Sequence, residues 1–118
     1  MGSATRGRPP RGADEQGAPV TGHDDTRTQR AVRFRAEGRV QGVGYRYSAQ
    51  RVGAQLGLQG WVRNRADGSV EGHVQGEWRT VDAMLDWLRE GPSHARVEAL
   101  TSDPVPVDTT LAGFGIRP

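Results

Sequence analysis

The chain contains no cysteine and no lysine, and its aromatic residues are only three Trp, two Tyr and two Phe in 118 residues. Without cysteine there is no disulfide, no thiolate metal site and no cysteine nucleophile, and the redox compartment is left open. Without lysine there is neither a P-loop lysine nor Schiff-base chemistry. No apolar run approaches the roughly 20 residues of a membrane span, and the first residues lack the apolar stretch of a signal peptide. The expectation is a cytoplasmic protein with no membrane association. His23, His73 and His94 are scattered and have no carboxylates at ligand spacing. They read as solvated or strand-surface histidines, so no metal and no other cofactor is expected.

All 16 basic residues are arginines, against 14 acids, for a formal net charge of +2. The isoelectric point near 9.9 therefore reflects the high pKa of arginine rather than a large excess of charge. Residues 1–30 hold Arg6, Arg8, Arg11, Arg27 and Arg30 against Asp14, Glu15, Asp24 and Asp25, so no basic arm stands out. That argues against a nucleic-acid partner. The same segment is rich in Gly, Pro, Thr, Arg and Asp, is nearly devoid of large apolar side chains, and has neither a 2 nor a 3.6 period. It reads as a disordered N-terminal tail, with a weak docking or solubility segment as the alternative. The rest, residues 31–118, has the length of one ordinary domain, expected to act as a monomer.

From Ala31 the pattern alternates, with Val32, Phe34 and Ala36 on one face and Arg33, Arg35 and Glu37 on the other, as in a half-buried strand. After a glycine-rich run, Tyr45, Ala49, Val52 and Leu56 fall on one helical face and Gly57 is placed to stop the helix. A second strand is predicted at Gln59–Asn64, a turn at Arg65-Ala66-Asp67-Gly68, and a third strand from Val70 to Val74, forming a hairpin. Thr80 is the predicted N-cap of a second helix carrying Val81, Met84, Leu85 and Leu88, with Met84 and Trp87 in the core and Gly91-Pro92 ending it. A strand is predicted over 95–101 and is expected to break at Asp103-Pro104-Val105-Pro106, and 114–117 reads as a short last strand. The order βαββαβ predicts an α+β, ferredoxin-like sandwich: an antiparallel sheet with two helices on one face.

The run Glu37-Gly38-Arg39-Val40-Gln41-Gly42-Val43-Gly44-Tyr45-Arg46 lies between the first strand and the first helix. The first N–H groups of a helix lack intrahelical partners and, with the helix dipole, favour an anion. Gly42 and Gly44 can take positive φ, which would let consecutive N–H groups converge on one tetrahedral anion, and Arg46 could grip two of its oxygens. The plainer reading is a tight strand-to-helix connection with Arg46 in solvent. A dinucleotide motif is excluded, because it needs glycine where Tyr47 stands. A second motif, Gly60-Trp61-Val62-Arg63-Asn64 followed by Gly68, Val70 and Gly76, lies in the hairpin. Asn64 there is either a turn former or an amide that fixes a water beside the anion.

Together the two segments resemble the acylphosphatase family. Its first signature, a glycine, then Val-Gln-Gly-Val, a variable residue, an aromatic and arginine, is matched from Gly38 to Arg46, with Tyr45 where phenylalanine is usual. Its second, Gly-aromatic-Val-basic-Asn with later Gly, Val and Gly, is matched from Gly60 to Gly76, and Gly91-Pro92 and Phe114-Gly115-Ile116-Arg117 are similar to the family's later landmarks. The resemblance covers residues 32–117, making 31–118 an acylphosphatase-like domain. It implies that Arg46 binds the phosphoryl group of a small-molecule acyl phosphate, that N–H groups of Gln41, Gly42, Val43, Gly44 and Tyr45 cradle it, and that Asn64 orients the attacking water. Three departures from the family pattern bear on this: Tyr45 needs a polar partner if buried, Gly44 loosens the cradle, and the 103–113 connection alters the last strand pairing.

An acyl phosphate releases a carboxylate, a stable leaving group that needs no general acid. This fits a chain without an acid/base dyad or a Ser-His-Asp order, in which the remaining work is positioning and charge stabilisation. Two other classes stay open. One is a non-catalytic anion or carbamoyl-phosphate-binding module, since such domains also occur within larger carbamoyl-transferring enzymes. The other is a ferredoxin-like RNA binder, against which stands the absence of an RNP-like aromatic run.

Overall fold

The computed structural model describes residues 29–118, so the expected tail falls outside the described residues except at its end, where Gln29 and Arg30 already belong to the first strand. The elements are β1 (Gln29–Arg39), α1 (Tyr45–Gln55), β2 (Gln59–Asn64), β3 (Val70–Glu77), α2 (Trp78–Glu90), β4 (Arg96–Val105) and β5 (Phe114–Ile116). They form one sheet in the order β4-β1-β3-β2-β5. β1 runs antiparallel to β3 and β4, and β3 antiparallel to β2. This is the expected ferredoxin-like order. The sheet as a whole is mixed rather than antiparallel, because β5 lies parallel to β2, with Gly60 beside Phe114 and Val62 beside Ile116. The cause is the connection after β4. Its Asp108 is held to the Gln75 side chain by bonds of 2.8 and 2.9 Å, and Gly113 accepts from the Gly60 N–H at 3.0 Å. The chain thus passes along the end of the sheet and enters the far edge in the direction of β2.

Val32, Phe34 and Ala36 of β1, Val62 of β2, and Val70 and Val74 of β3 share one buried cluster with Tyr45 and Ala49 of α1 and Val81, Met84, Leu85 and Leu88 of α2. Both helices therefore cover the same face. Burial of these side chains is the main driving force for the fold. No helix among the described residues is long and apolar enough to cross a membrane.

Four local expectations change. The inner face of α1 is Tyr45, Ala49 and Gly53, while Leu56 is the C-cap residue and 38% exposed. A Cβ on Gly53 would stand 2.7 Å from the Phe114 ring, so helix and strand approach closer than any side chain there allows. Gly57, at φ 73°, ends α1 as expected, with Leu58 N–H reaching the Gly53 carbonyl and Gly57 N–H that of Ala54. Helix α2 starts at Trp78 rather than after Thr80. Glu77 is its N-cap, accepting from the Arg79 and Thr80 N–H groups at 3.1 and 3.2 Å, because β3 runs directly into the helix. β4 continues through Pro104 to Val105, since an edge strand can turn the side without an N–H outward. His73 lies on the outer sheet face yet is 3% exposed, stacked on Trp61 at 6.5 Å and hydrogen-bonded to Gln75 at 2.7 Å.

Tyr45 has the polar partner it requires. Its hydroxyl donates to the Leu88 carbonyl at 2.7 Å, and burial pushes the phenol pKa well above its ordinary value. Leu88 lies in the last turn of α2, where the next donor in the helix would be residue 92, a proline without an N–H. The phenol fills that gap, and its ring packs 5.9 Å from half-buried Trp87. Tyr45→Phe is expected to lower unfolding free energy by about 1 kcal/mol with an unchanged denaturant slope, as measured by urea unfolding.

Candidate active site

Between β1 and α1 the chain turns within a few residues. Gly42 and Gly44 sit at φ 76° and 80°, where a side chain is strained, and a Cβ on either would meet nothing within 4 Å. Backbone conformation, not crowding, demands these glycines, and the peptide groups beside them are left uncovered. Gly44 is the N-cap and offers no side-chain acceptor, and no acid occupies the first turn of α1. The first helical bond runs from Ser48 N–H to the Gly44 carbonyl at 3.0 Å. None of the N–H groups from Gln41 to Tyr45 donates to another group among the described residues. The loop therefore leaves free donors beside the positive end of a helix dipole.

Side chains alternate along a strand, so Asn64 points to the same side as core-facing Val62, and Ile116 to the same side as Phe114. Parallel pairing of Val62 with Ile116 brings both to the start of α1. A cavity of about 170 Å³ results, lined by Val40, Gly42, Gly44 and Tyr45, by Arg46 and Tyr47, and by Asn64 and Ile116. Arg46 joins no ion pair among the described residues. The Asn64 Oδ1 is buried and accepts no hydrogen bond. A buried acceptor left so costs about 1–3 kcal/mol, which a bound donor would relieve. No acid or histidine lines the cavity, and no three His, Asp or Glu side chains among the described residues come together to hold a metal.

Arg46, Asn64, Gly42, Gly44 and Tyr45 of the predicted site thus meet in one place. Val43 instead packs its side chain against the core. The Gln41 side chain turns away to the hairpin, where Nε2 donates to the carbonyls of Arg65 at 2.8 Å and Ser69 at 2.9 Å. Sequence reading missed Val40, Tyr47 and Ile116. Only Ile116 left a signal, as the second apolar residue of an alternating end strand, and its role depends on the parallel pairing.

The sequence profile of one family, described as Acylphosphatase, matches residues 32–116. The chain belongs to the acylphosphatase family. It is 50% identical over 96 residues to the acylphosphatase of Azoarcus sp. (strain BH72), covering 80% of this chain and 94% of that protein. Against the acylphosphatase of Rubrobacter xylanophilus it is 42% identical over 96 residues, covering 81% and 87%. The structure of an acylphosphatase from Coxiella burnetii superposes with a TM-score of 0.75 at 30% identity, over 79% of this chain and 97% of that one.

In this acylphosphatase the hairpin that carries Asn64 is braced on the outer face of the sheet. Asp67 accepts from the Ser69 hydroxyl at 2.6 Å and the Ser69 N–H at 3.0 Å, and it pairs with Arg35. Glu71 accepts from Arg63 and, at 2.9 Å, from Arg65. Partial burial opposes ionisation of Glu71, but the two arginines outweigh it and hold its carboxyl below the ordinary range. The Ser69 hydroxyl and N–H, helped by Arg35 and Arg65, hold Asp67 down to about 2. A folded pKa below the unfolded value near 3.9 contributes stability that is present above that value and lost as pH falls through the folded pKa. The melting-temperature gap between wild type and Asp67→Asn should therefore be full at pH 7, shrink below about pH 4 and close near pH 2. A gap that persists unchanged at low pH contradicts the assignment.

Proposed function

We propose that this acylphosphatase cleaves the carboxyl-phosphate anhydride of its small-molecule acyl phosphate by direct attack of a water held by Asn64. The phosphoryl group is bound by Arg46 and by N–H groups of the loop from Gln41 to Tyr45. The observation that carries this reading is that Arg46, Asn64 and three loop residues with uncommitted N–H groups, Gly42, Gly44 and Tyr45, border one small cavity.

Arg46 and the N–H groups neutralise charge on the equatorial oxygens, which strengthens as the bond to the leaving group lengthens. The Asn64 Oδ1 accepts from the attacking water and aims a lone pair of its oxygen at phosphorus. The oxygen–phosphorus bond to the acyl group breaks, the electron pair leaves on the carboxylate, and the water oxygen joins phosphorus with its two protons retained on the phosphate oxygens, giving dihydrogen orthophosphate. A carboxylate is a weak base of pKa about 4, so it departs without a proton. That matches a cavity lined by no acid. The Tyr45 hydroxyl is no substitute acid, being committed to Leu88.

Positive charge from Arg46 and the helix dipole stands where a metal ion would otherwise act, so turnover is read as metal-independent. Cytoplasmic residence and monomeric action without nucleic acid or membrane belong to the same reading; the formal net charge of only +2 and the lack of a basic arm support the part that excludes nucleic acid.

The test is hydrolysis of an aryl acyl phosphate in chelator-containing buffer, with competitive inhibition by inorganic phosphate as the measure of binding. Arg46→Ala should lose both phosphate inhibition and turnover. Asn64→Ala should keep phosphate inhibition while turnover falls by about 10²-fold or more. Equal loss of phosphate binding in both variants contradicts the roles. Wild-type protein that binds phosphate without turnover favours the non-catalytic binding module.

A further inference from the structure

We infer that the Gln41 side chain is a positioning residue, which fixes the separation between the phosphate loop and Asn64. The inference rests on the site reading above, which uses only the Gln41 N–H, and adds a role for its side chain.

The two halves of the site come from segments far apart in sequence, the loop after β1 and the end of β2. The loop N–H groups make no bond that would tie one half to the other. Gln41 supplies that tie. An amide nitrogen carries two hydrogens, and both are used, one on the Arg65 carbonyl at 2.8 Å and one on the Ser69 carbonyl at 2.9 Å. Those residues are the two ends of the β2–β3 turn, joined to each other by the Arg65 N–H and the Ser69 carbonyl at 2.8 Å. Arg65 directly follows Asn64. The Gln41 amide thus straddles the base of the turn, one peptide from the residue that holds the water.

The chemistry explains why this residue type is suited to the position. Two carbonyl oxygens face the side chain, so the tip must be a double donor, and the Gln41 Nε2 meets both at once. Glutamate would offer only acceptors to two acceptors, and a hydrocarbon would leave both without this donor. A reacting atom displaced by about 1 Å can cost on the order of 10² in rate, so a tie between the halves acts on turnover more than on phosphate binding. Phosphate binding itself uses Arg46 and the loop N–H groups, that of Gln41 among them, and Gln41→Met keeps all of these while removing only the side-chain amide that reaches the hairpin.

The experiment is a double-mutant cycle in the full chain, reading kcat, KM and inhibition by inorganic phosphate. Gln41→Met should lower kcat by about 10-fold or more while KM and phosphate inhibition stay within about 3-fold. In an Asn64→Ala background the same substitution should change kcat by less than about 3-fold, since no water-holding amide remains to be misplaced. Gln41→Asn, which keeps the amide but withdraws it by one methylene, should lie between Gln41→Met and wild type. It carries the cycle if thermal unfolding shows Gln41→Met to be unfolded at the assay temperature. An equal loss of kcat in both backgrounds, or a loss that falls on phosphate inhibition, overturns the inference and leaves the roles of Arg46 and Asn64 standing. Full turnover by Asn64→Ala alone overturns the site reading and the inference with it.

Discussion

The buried phenol of Tyr45 anchors the first residue of α1, and the rest of the site is arranged around that point. Its ring fills the core and its hydroxyl caps the carbonyl of Leu88 in the other helix. One residue earlier, Gly44 is in the left-handed region and exposed; one residue later, Arg46 lines the cavity. Burial and function are therefore adjacent along the chain. The helix start cannot shift without pulling an aromatic ring from a packed interior, and interiors yield little. The close approach of Gly53 to Phe114 fixes the other end of the same helix. Held at both ends, α1 presents its uncapped N–H groups in one direction.

On the proposed reading a phosphoryl group needs donors on one side and an aimed water on the other, and no single element of this size supplies both. The loop and α1 would provide the donors, and β2 provides Asn64. Their relation is maintained by the shared core, by the Gln41 amide at the base of the hairpin, and by the ion pairs of Asp67 and Glu71 that hold the turn from the outer face. The exposed Asp67 pair contributes little energetically, so its value is geometric, whereas Glu71 is buried and needs Arg63 and Arg65 to offset the cost of its charge.

The outer face of the sheet also shapes the site indirectly. Trp61 is covered by the guanidinium groups of Arg33, Arg63 and Arg117, at 5.0, 5.7 and 4.5 Å from its ring. Buried Gln75 binds the passing connection through Asp108. That connection delivers β5 to the far edge beside β2, and Ile116 to the rim of the cavity. A polar glutamine at a buried strand position is thus explained by the backbone groups it satisfies.

Much of the fold was legible because alternation and helical spacing follow directly from backbone geometry. The strand Gln59–Asn64, the inward set Val32, Phe34 and Ala36, and the stops at Gly57 and Gly91 needed no partner to be read. The positive φ of Gly42 and Gly44 was legible from the glycine-rich run between strand and helix, and Arg46 and Asn64 stood out by type and position, but each had a plainer reading that local pattern left open. Features set by partners were not. The start of α2 depended on Glu77 folding back on two N–H groups, the length of β4 on its place at an edge, and the direction of β5 on a connection tied to Gln75. Which way the Gln41 side chain points depended on carbonyls about 24 and 28 residues away. The sequence by itself determined the elements and the chemistry available, because both are local properties of the chain. Only the tertiary structure decided which of those groups share a cavity, because that requires contacts between residues that no local pattern relates.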